Sequence, residues 1–175
     1  MVNKRSRYNS AHQPGYSLLE LTIACALIAI VVTMGLASSS FLHRALVRSE
    51  MEKLYYTCMY LQRKAISTNE KQTLSLDPTN NSYHYGNTEE KLCRHVQFGT
   101  LDGTKGPPAT PTKLITKPIT FAGNAITFHP DGILRPGTVY FKDSNNSCQY
   151  ALSIAVAQVS FIRMYHYTTT WHSLV

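Results

Sequence analysis

The hydrophobic pattern of this chain changes character three times along its length. A short polar, basic stretch comes first. From Leu21 to Leu42 there follow 22 residues with no charge and no proline. As a helix that run measures roughly 33 Å at about 1.5 Å per residue, enough to cross a bilayer core about 30 Å thick. Charged residues then return, yet Val47, Met51, Leu54, Cys58, Leu61 and Ala65 recur at spacings of three and four. That is one face of an amphipathic helix, and core packing against a sheet is the preferred reading over a seam for a partner helix. No glycine or proline interrupts Leu36 to Pro78. The pattern therefore predicts one helix over 16–67, apolar all round in its first half and striped in its second.

Past residue 67 the period shortens. Gln72–Leu76 alternates, Asp77–Ser82 is a turn by composition, and Tyr83–Tyr85 returns as a hairpin. Lys91–Phe98 holds a further short strand, and 99–118, rich in Gly, Pro, Thr and Lys, is a long exposed loop. Ile119–Phe121 and Ala125–Phe128 flank Ala122-Gly-Asn124, which reads as a hairpin turn. His129–Gly132 and Asp143–Asn146 are turns, while Thr138–Phe141, Tyr150–Ile154 and Val159–Met164 are strands. About seven strands after a long helix predict an α+β fold with a C-terminal antiparallel β domain.

Composition bounds the function. The net charge is +7, and the leader supplies Lys4, Arg5 and Arg7 with no acid among residues 1–15. The remaining excess is mild, and the basic residues are spread along the chain, so nucleic acid is an unlikely partner. The carboxylate of Glu20 stands at the very start of the apolar run, where an ionisable group needs a reason. A secretory signal peptide does not fit, because its apolar region is only 7–15 residues long and precedes its cleavage site. A plain membrane anchor explains the length and the basic flank but not Gly15-Tyr-Ser-Leu-Leu-Glu20.

That hexapeptide resembles the N-terminal signature of type IV pilins and type II secretion pseudopilins, with Tyr16 where phenylalanine is commonest and without the mid-helix proline of many major pilins. A second stretch, Ile126–Phe141, resembles the β region of the GspH/FimT-like minor pseudopilins, which implies a globular domain of two antiparallel sheets packed on the helix. The resemblance implies three regions. Residues 1–15 form a leader removed by prepilin peptidase between Gly15 and Tyr16, and Tyr16 is N-methylated. Residues 16–67 form the helix, with a transmembrane segment over about 18–42, and 68–175 form the β domain. It implies that Glu20 guides assembly by pairing with the free amine of a neighbouring Tyr16. The partners are other pilin or pseudopilin subunits and the inner membrane, with the C-terminal domain periplasmic. The function implied is a non-catalytic minor pilin or pseudopilin of a type II secretion pseudopilus or type IV pilus. The alternative is a DNA-binding minor pilin of an uptake pilus. The Gly-Arg-any-Arg element of DNA-binding members is missing from the C-terminal stretch, which lowers that alternative.

An oxidising periplasm makes a Cys93–Cys148 disulfide an expectation, with Cys58 either an alternative partner or a buried free thiol, and Cys25 a small apolar filler. Cys93-Arg-His95, His129 and Cys148 have no zinc-site spacing, and Asp143–Asn146 lacks the twelve-residue calcium pattern, so neither a metal nor a cofactor is expected. Asn80–Ser82 and Asn145–Ser147 fit the glycosylation triplet, which is short enough to arise by chance. No nucleophile–base or phosphate-loop motif stands in a convincing context, so no enzyme is expected. Tyr165, Tyr167 and Trp171, with Arg163, His166 and His172, are of a type that stacks on single-stranded bases. An edge strand with a polar tail is the preferred reading.

Overall fold

The computed structural model describes residues 17–106, 112–155 and 161–174, with the backbone alone at 34–40. One helix, α1, spans Leu18–Thr68. The chain divides into two units at Ser39 and Ser40. In the first unit the described side chains of α1 are exposed and mostly apolar, Leu18, Leu27 and Val31 among them. Among the described residues no helix is long and apolar enough to cross a membrane. The transmembrane segment expected over about 18–42 is therefore not supported by them.

The second unit holds the core. Val47, Met51, Leu54, Cys58, Leu61 and Ala65 are all buried to 2% exposure or less, so the stripe is core. It faces two antiparallel sheets. The first contains β1 (Gln72–Asp77), β2 (Ser82–Tyr85), β3 (Thr88–Lys91) and β5 (Ala125–Phe128), in the order β3-β2-β1-β5. The second contains β4 (Val96–Phe98), β6 (Gly137–Asp143), β7 (Gln149–Ala155), β8 (Phe161–Tyr167) and β9 (Trp171–Ser173), in the order β4-β6-β7-β8-β9. Leu74, Tyr83, Ile126 and Phe128 from the first sheet and Val139, Phe141, Leu152 and Ile154 from the second join the α1 stripe in one apolar cluster. The expected α+β class with two sheets is what the chain adopts.

Two strands were not expected. β3, Thr-Glu-Glu-Lys, has no apolar alternation. It is an edge strand, held by pairing with β2 and by Lys53 Nζ on α1, 2.7 Å from Glu90 Oε2. Charge on an edge also deters pairing with other chains. β9 completes the other sheet by pairing Tyr167 with Trp171.

One expectation is corrected. Ile119–Phe121 and Ala125–Phe128 do not form a hairpin. Ile119 bridges Val139 and Thr120 N–H donates to Thr138 O at 2.9 Å, which ties this stretch to β6 in the second sheet. β5 pairs instead with β1, Gln72 opposite Phe128. The Ala122–Asn124 segment is a short 3-10 turn that carries the chain from one sheet to the other. Gly123 at φ 64° and Asn124 at φ 51° supply the left-handed conformations this change of direction needs.

Candidate functional site

The residues singled out at the N-terminus meet the structure only in part. Gly15 and Tyr16 lie outside the described residues. Glu20 lies in the first turn of α1, and its N–H donates to Ser17 Oγ at 3.2 Å. Ser17 is thus the N-cap, and Ser17-Leu-Leu-Glu20 has the spacing of a capping box. A carboxylate in a first helical turn also meets the positive end of the helix dipole. Sequence reasoning passed over this local role of Glu20, although Ser-x-x-Glu before an apolar run signals it.

Along the second half of α1, the face opposite the core is aromatic. Tyr56 and Tyr60 are exposed by 67% and 55% and stand one turn apart. With Ser49, Lys53, Thr57 and Tyr85 they line an open groove of about 530 Å³. Exposed apolar surface of this kind suits contact with another protein.

The four cysteines are unbridged in this structure. Cys58 lies in the α1 stripe, and burial pushes its thiol up to about 12. Burial and then the charge of Asp143 push Cys148 up to about 11. Cys93 is half-buried, and its carbonyl accepts from Val96 N–H at 2.8 Å, at the start of β4. Because Val96 lies opposite Asp143 and Cys148 N–H bonds Asp143 Oδ1 at 2.9 Å, the fold brings both cysteines to the same end of the second sheet.

The Asp143 turn is structural. Its carboxylate, fully buried, accepts from Ser147 N–H at 2.6 Å, Ser147 Oγ at 2.8 Å, Cys148 N–H at 2.9 Å and Asn145 N–H at 3.3 Å. Burial pushes the carboxyl up, but these hydrogen bonds outweigh it and hold Asp143 below its ordinary value. Both oxygens are spent on the β6–β7 turn. Among the described residues no group of three or more His, Cys, Asp or Glu is placed to hold a metal ion.

The C-terminal aromatics are divided between the two faces of the second sheet. Tyr165 is buried with Tyr140 and Ala151 on one face, where Trp171 packs beside them. Trp171 Nε1 donates to Lys105 O at 2.8 Å, and its ring lies 5.1 Å from that of Tyr167. His166 stacks on Tyr150 at 4.5 Å on the other face. Burial, followed by the charges of Arg44, His172 and Arg48, lowers the His166 pKa. These side chains therefore do not form one stacking platform.

A long N-terminal helix with an exposed apolar first part, docked by its second part on two antiparallel sheets, is a pilin-like subunit architecture. Its conspicuous surfaces are helical faces suited to packing. The family described as type II transport protein GspH matches residues 50–158, and the chain belongs to that family. The matched region runs from within α1 through β7, and the family points to a type II secretion pseudopilin that associates with other pseudopilin subunits. No curated protein and no solved structure matches the chain.

Proposed function

We propose that this chain is a minor pseudopilin, a structural subunit that enters a type II secretion pseudopilus after prepilin peptidase cuts between Gly15 and Tyr16. The observation that carries this reading is the GspH match over residues 50–158, which begins within a helix that opens on Ser17-Leu-Leu-Glu20 and an exposed apolar run. In this reading 1–15 is the leader and Tyr16 carries the N-methyl group. The apolar run over about 18–42 holds the precursor in the inner membrane, with the β domain periplasmic. An unpaired carboxylate in hydrocarbon costs several kcal/mol, so Glu20 gains by meeting the amine of a neighbouring Tyr16. That pairing sets the stagger between subunits, and the Tyr56–Tyr60 face gives the helix a surface for neighbours outside the bilayer. A Cys93–Cys148 bridge belongs to the same reading, because both thiols lie at one end of the second sheet and the periplasm is oxidising.

The test has two readouts. Mass spectrometry of the mature N-terminus in a peptidase-positive host is expected to find N-methylated Tyr16, and Gly15→Val is expected to block the cut. Glu20→Ala is expected to insert and be processed, yet fail to cross-link to other pilus or pseudopilus subunits. Wild-type cross-linking by Glu20→Ala, or a different mature terminus, overturns the reading. A DNA-uptake pilin would instead show salt-dependent binding of the chain to DNA.

A further inference from the structure

The basic residues look scattered along the sequence, but the fold gathers several of them at one end of the second sheet. That end is where the β6–β7 turn and the β8–β9 turn lie side by side, since Lys142 pairs with Gln149 and Gln149 with Tyr167. It is also where α1 meets the sheet, because Asn145 Nδ2 lies 3.2 Å from His43 Nδ1. On one side of the helix His43 packs against His95 with ring centroids 5.3 Å apart, and exposed Arg94 is the neighbour of His95. On the other side exposed Arg44 and the Arg48 guanidinium face Tyr150 and His166.

The acids at this end offset little of that charge. Asp143 is buried and saturated by its own turn. Glu52 is held by Arg48 at 2.8 Å. Asp102 lies in the Leu101–Thr104 turn and is in no ion pair with Arg44 or Arg94 among the described residues. Arg44 and Arg94 have no such neutralising acid in contact, among the described residues. Immediately before them stand Phe41 and Leu42, exposed by 72% and 56%. Tyr167 and Trp171 close the same end, each with an apolar ring and a polar tip.

Exposed apolar side chains beside these arginines, with Tyr and Trp at the same end, are the chemistries found at a lipid–water boundary. We propose that this end of the domain docks on an anionic phospholipid surface, with Phe41 and Leu42 at the acyl boundary and Arg44 and Arg94 against headgroup phosphates. The docking rests on the membrane-anchored reading above and adds a requirement for lipid charge. It would hold the domain upright on the membrane before the subunit is extracted into a filament.

The chain has one tryptophan, Trp171, at the same end of the second sheet, and it serves as the probe. The full chain is reconstituted with vesicles of phosphatidylcholine alone or with one-third phosphatidylglycerol, each carrying a nitroxide on the choline headgroup. Flotation reports whether the apolar run inserts. Quenching of Trp171 reports docking. We expect flotation in both lipids and stronger quenching with phosphatidylglycerol, reversed by high salt. Each arginine near an anionic surface contributes about a fivefold factor in binding. R44Q/R94Q should therefore float like wild type and lose the lipid-dependent quenching. High salt tests the wild-type fold without substitution. Equal quenching in both lipids, or quenching that survives both salt and R44Q/R94Q, overturns the docking. So does an oligodeoxynucleotide that binds without vesicles and loses binding in R44Q/R94Q, which would give the patch to nucleic acid. Failure to float counts against the membrane anchor alone, because phosphatidylglycerol-dependent quenching by added vesicles still decides the docking.

Discussion

The ring of Phe121 packs against the backbone of Gly137 so closely that a Cβ at position 137 would clash with three of its carbons, Cδ1, Cε1 and Cγ. Phe121 is buried at the point where the chain leaves the second sheet for the first, and Gly137 opens β6. The Pro136-Gly137 pair within the Ile126–Phe141 stretch thus has a packing reason. Gly137→Ala is expected to destabilise the domain by about 1–3 kcal/mol, the usual cost of overpacking a filled site. Denaturant unfolding of the variant measures it. Because the ring is the obstacle, Phe121→Leu in the Gly137→Ala background is expected to cost less than the two single changes added together.

Asp143 makes the domain acid-sensitive. Its folded-state pKa is held below the unfolded value by hydrogen bonds from Cys148, Ser147 and Asn145 that outweigh burial. A carboxylate depressed in this way contributes stability that is fully present above its unfolded pKa and is lost as pH falls through the folded one. Stability is therefore expected to decline below about pH 4, the unfolded aspartate range. Asp143→Asn keeps the shape but replaces an acceptor oxygen with a donor facing the Ser147 and Cys148 N–H groups. It is expected to cost about 1–3 kcal/mol at neutral pH and to flatten the acid limb of a Tm-versus-pH curve.

His166 acts in a different window. Burial against Tyr150 lowers its pKa, and the charges of Arg44, His172 and Arg48 lower it further. The neutral ring is therefore favoured by folding. Its contribution is present above the unfolded histidine value near 6.5 and is lost as pH falls through the lower folded value. His166→Phe keeps the stack on Tyr150 and is expected to remove this part of the pH dependence while leaving the Asp143 limb in place. Chemical denaturation between pH 7 and pH 4.5 separates the two.

Ser17 and Glu20 carry separable roles at the head of α1. Ser17→Ala removes the oxygen that caps Glu20 N–H and is expected to cost the helix about 0.5–2 kcal/mol, seen as faster hydrogen exchange in its first turn. It leaves the Glu20 charge in place, so cross-linking to neighbouring subunits should persist. Glu20→Gln keeps a side chain able to reach back to the N-cap and removes the charge, so the opposite result is expected. Equal loss of cross-linking in both variants would assign Glu20 to capping alone.

The thiols are expected to react in order of exposure. Cys58, fully buried with its pKa pushed up to about 12, should resist alkylation in the native protein. Cys148, also buried and pushed up to about 11, should react slowly, and half-buried Cys93 faster. Peptide mapping after pulse alkylation checks the order. Recovery of Cys93 and Cys148 as a disulfide from periplasmic material, with Cys58 still a thiol, would support the proposed bridge.

The amino-acid sequence by itself determined the elements whose signal is periodic. The spacing of Val47, Met51, Leu54, Cys58, Leu61 and Ala65 can be satisfied by one buried helical face, and α1 buries that face. The expected helix, 16–67, differs from Leu18–Thr68 by a residue or two. Alternation in Gln72–Leu76 likewise sufficed for β1, the short apolar runs Thr138–Phe141 and Tyr150–Ile154 between turns for β6 and β7, and Asp77–Ser82 for the turn that makes β1 and β2 a hairpin. The Glu20 signature was readable because a carboxylate opening an apolar run is locally anomalous.

Tertiary structure decided what local pattern leaves free. Period-two alternation says that Ile119–Phe121 and Ala125–Phe128 are extended but not which neighbour supplies their hydrogen bonds. Sheet pairing sent the first to β6 and the second to β1. β3 had no pattern to read, since its order comes from β2 and Lys53 rather than from its own side chains. The same holds for the gathered end of the domain. Arg44, Arg94, His166 and Trp171 are far apart in sequence, and antiparallel pairing with a helix laid across it brought them to one end of the second sheet. Charge acts through space while a sequence records only order along the chain, so a surface of this kind becomes visible only once the chain has folded.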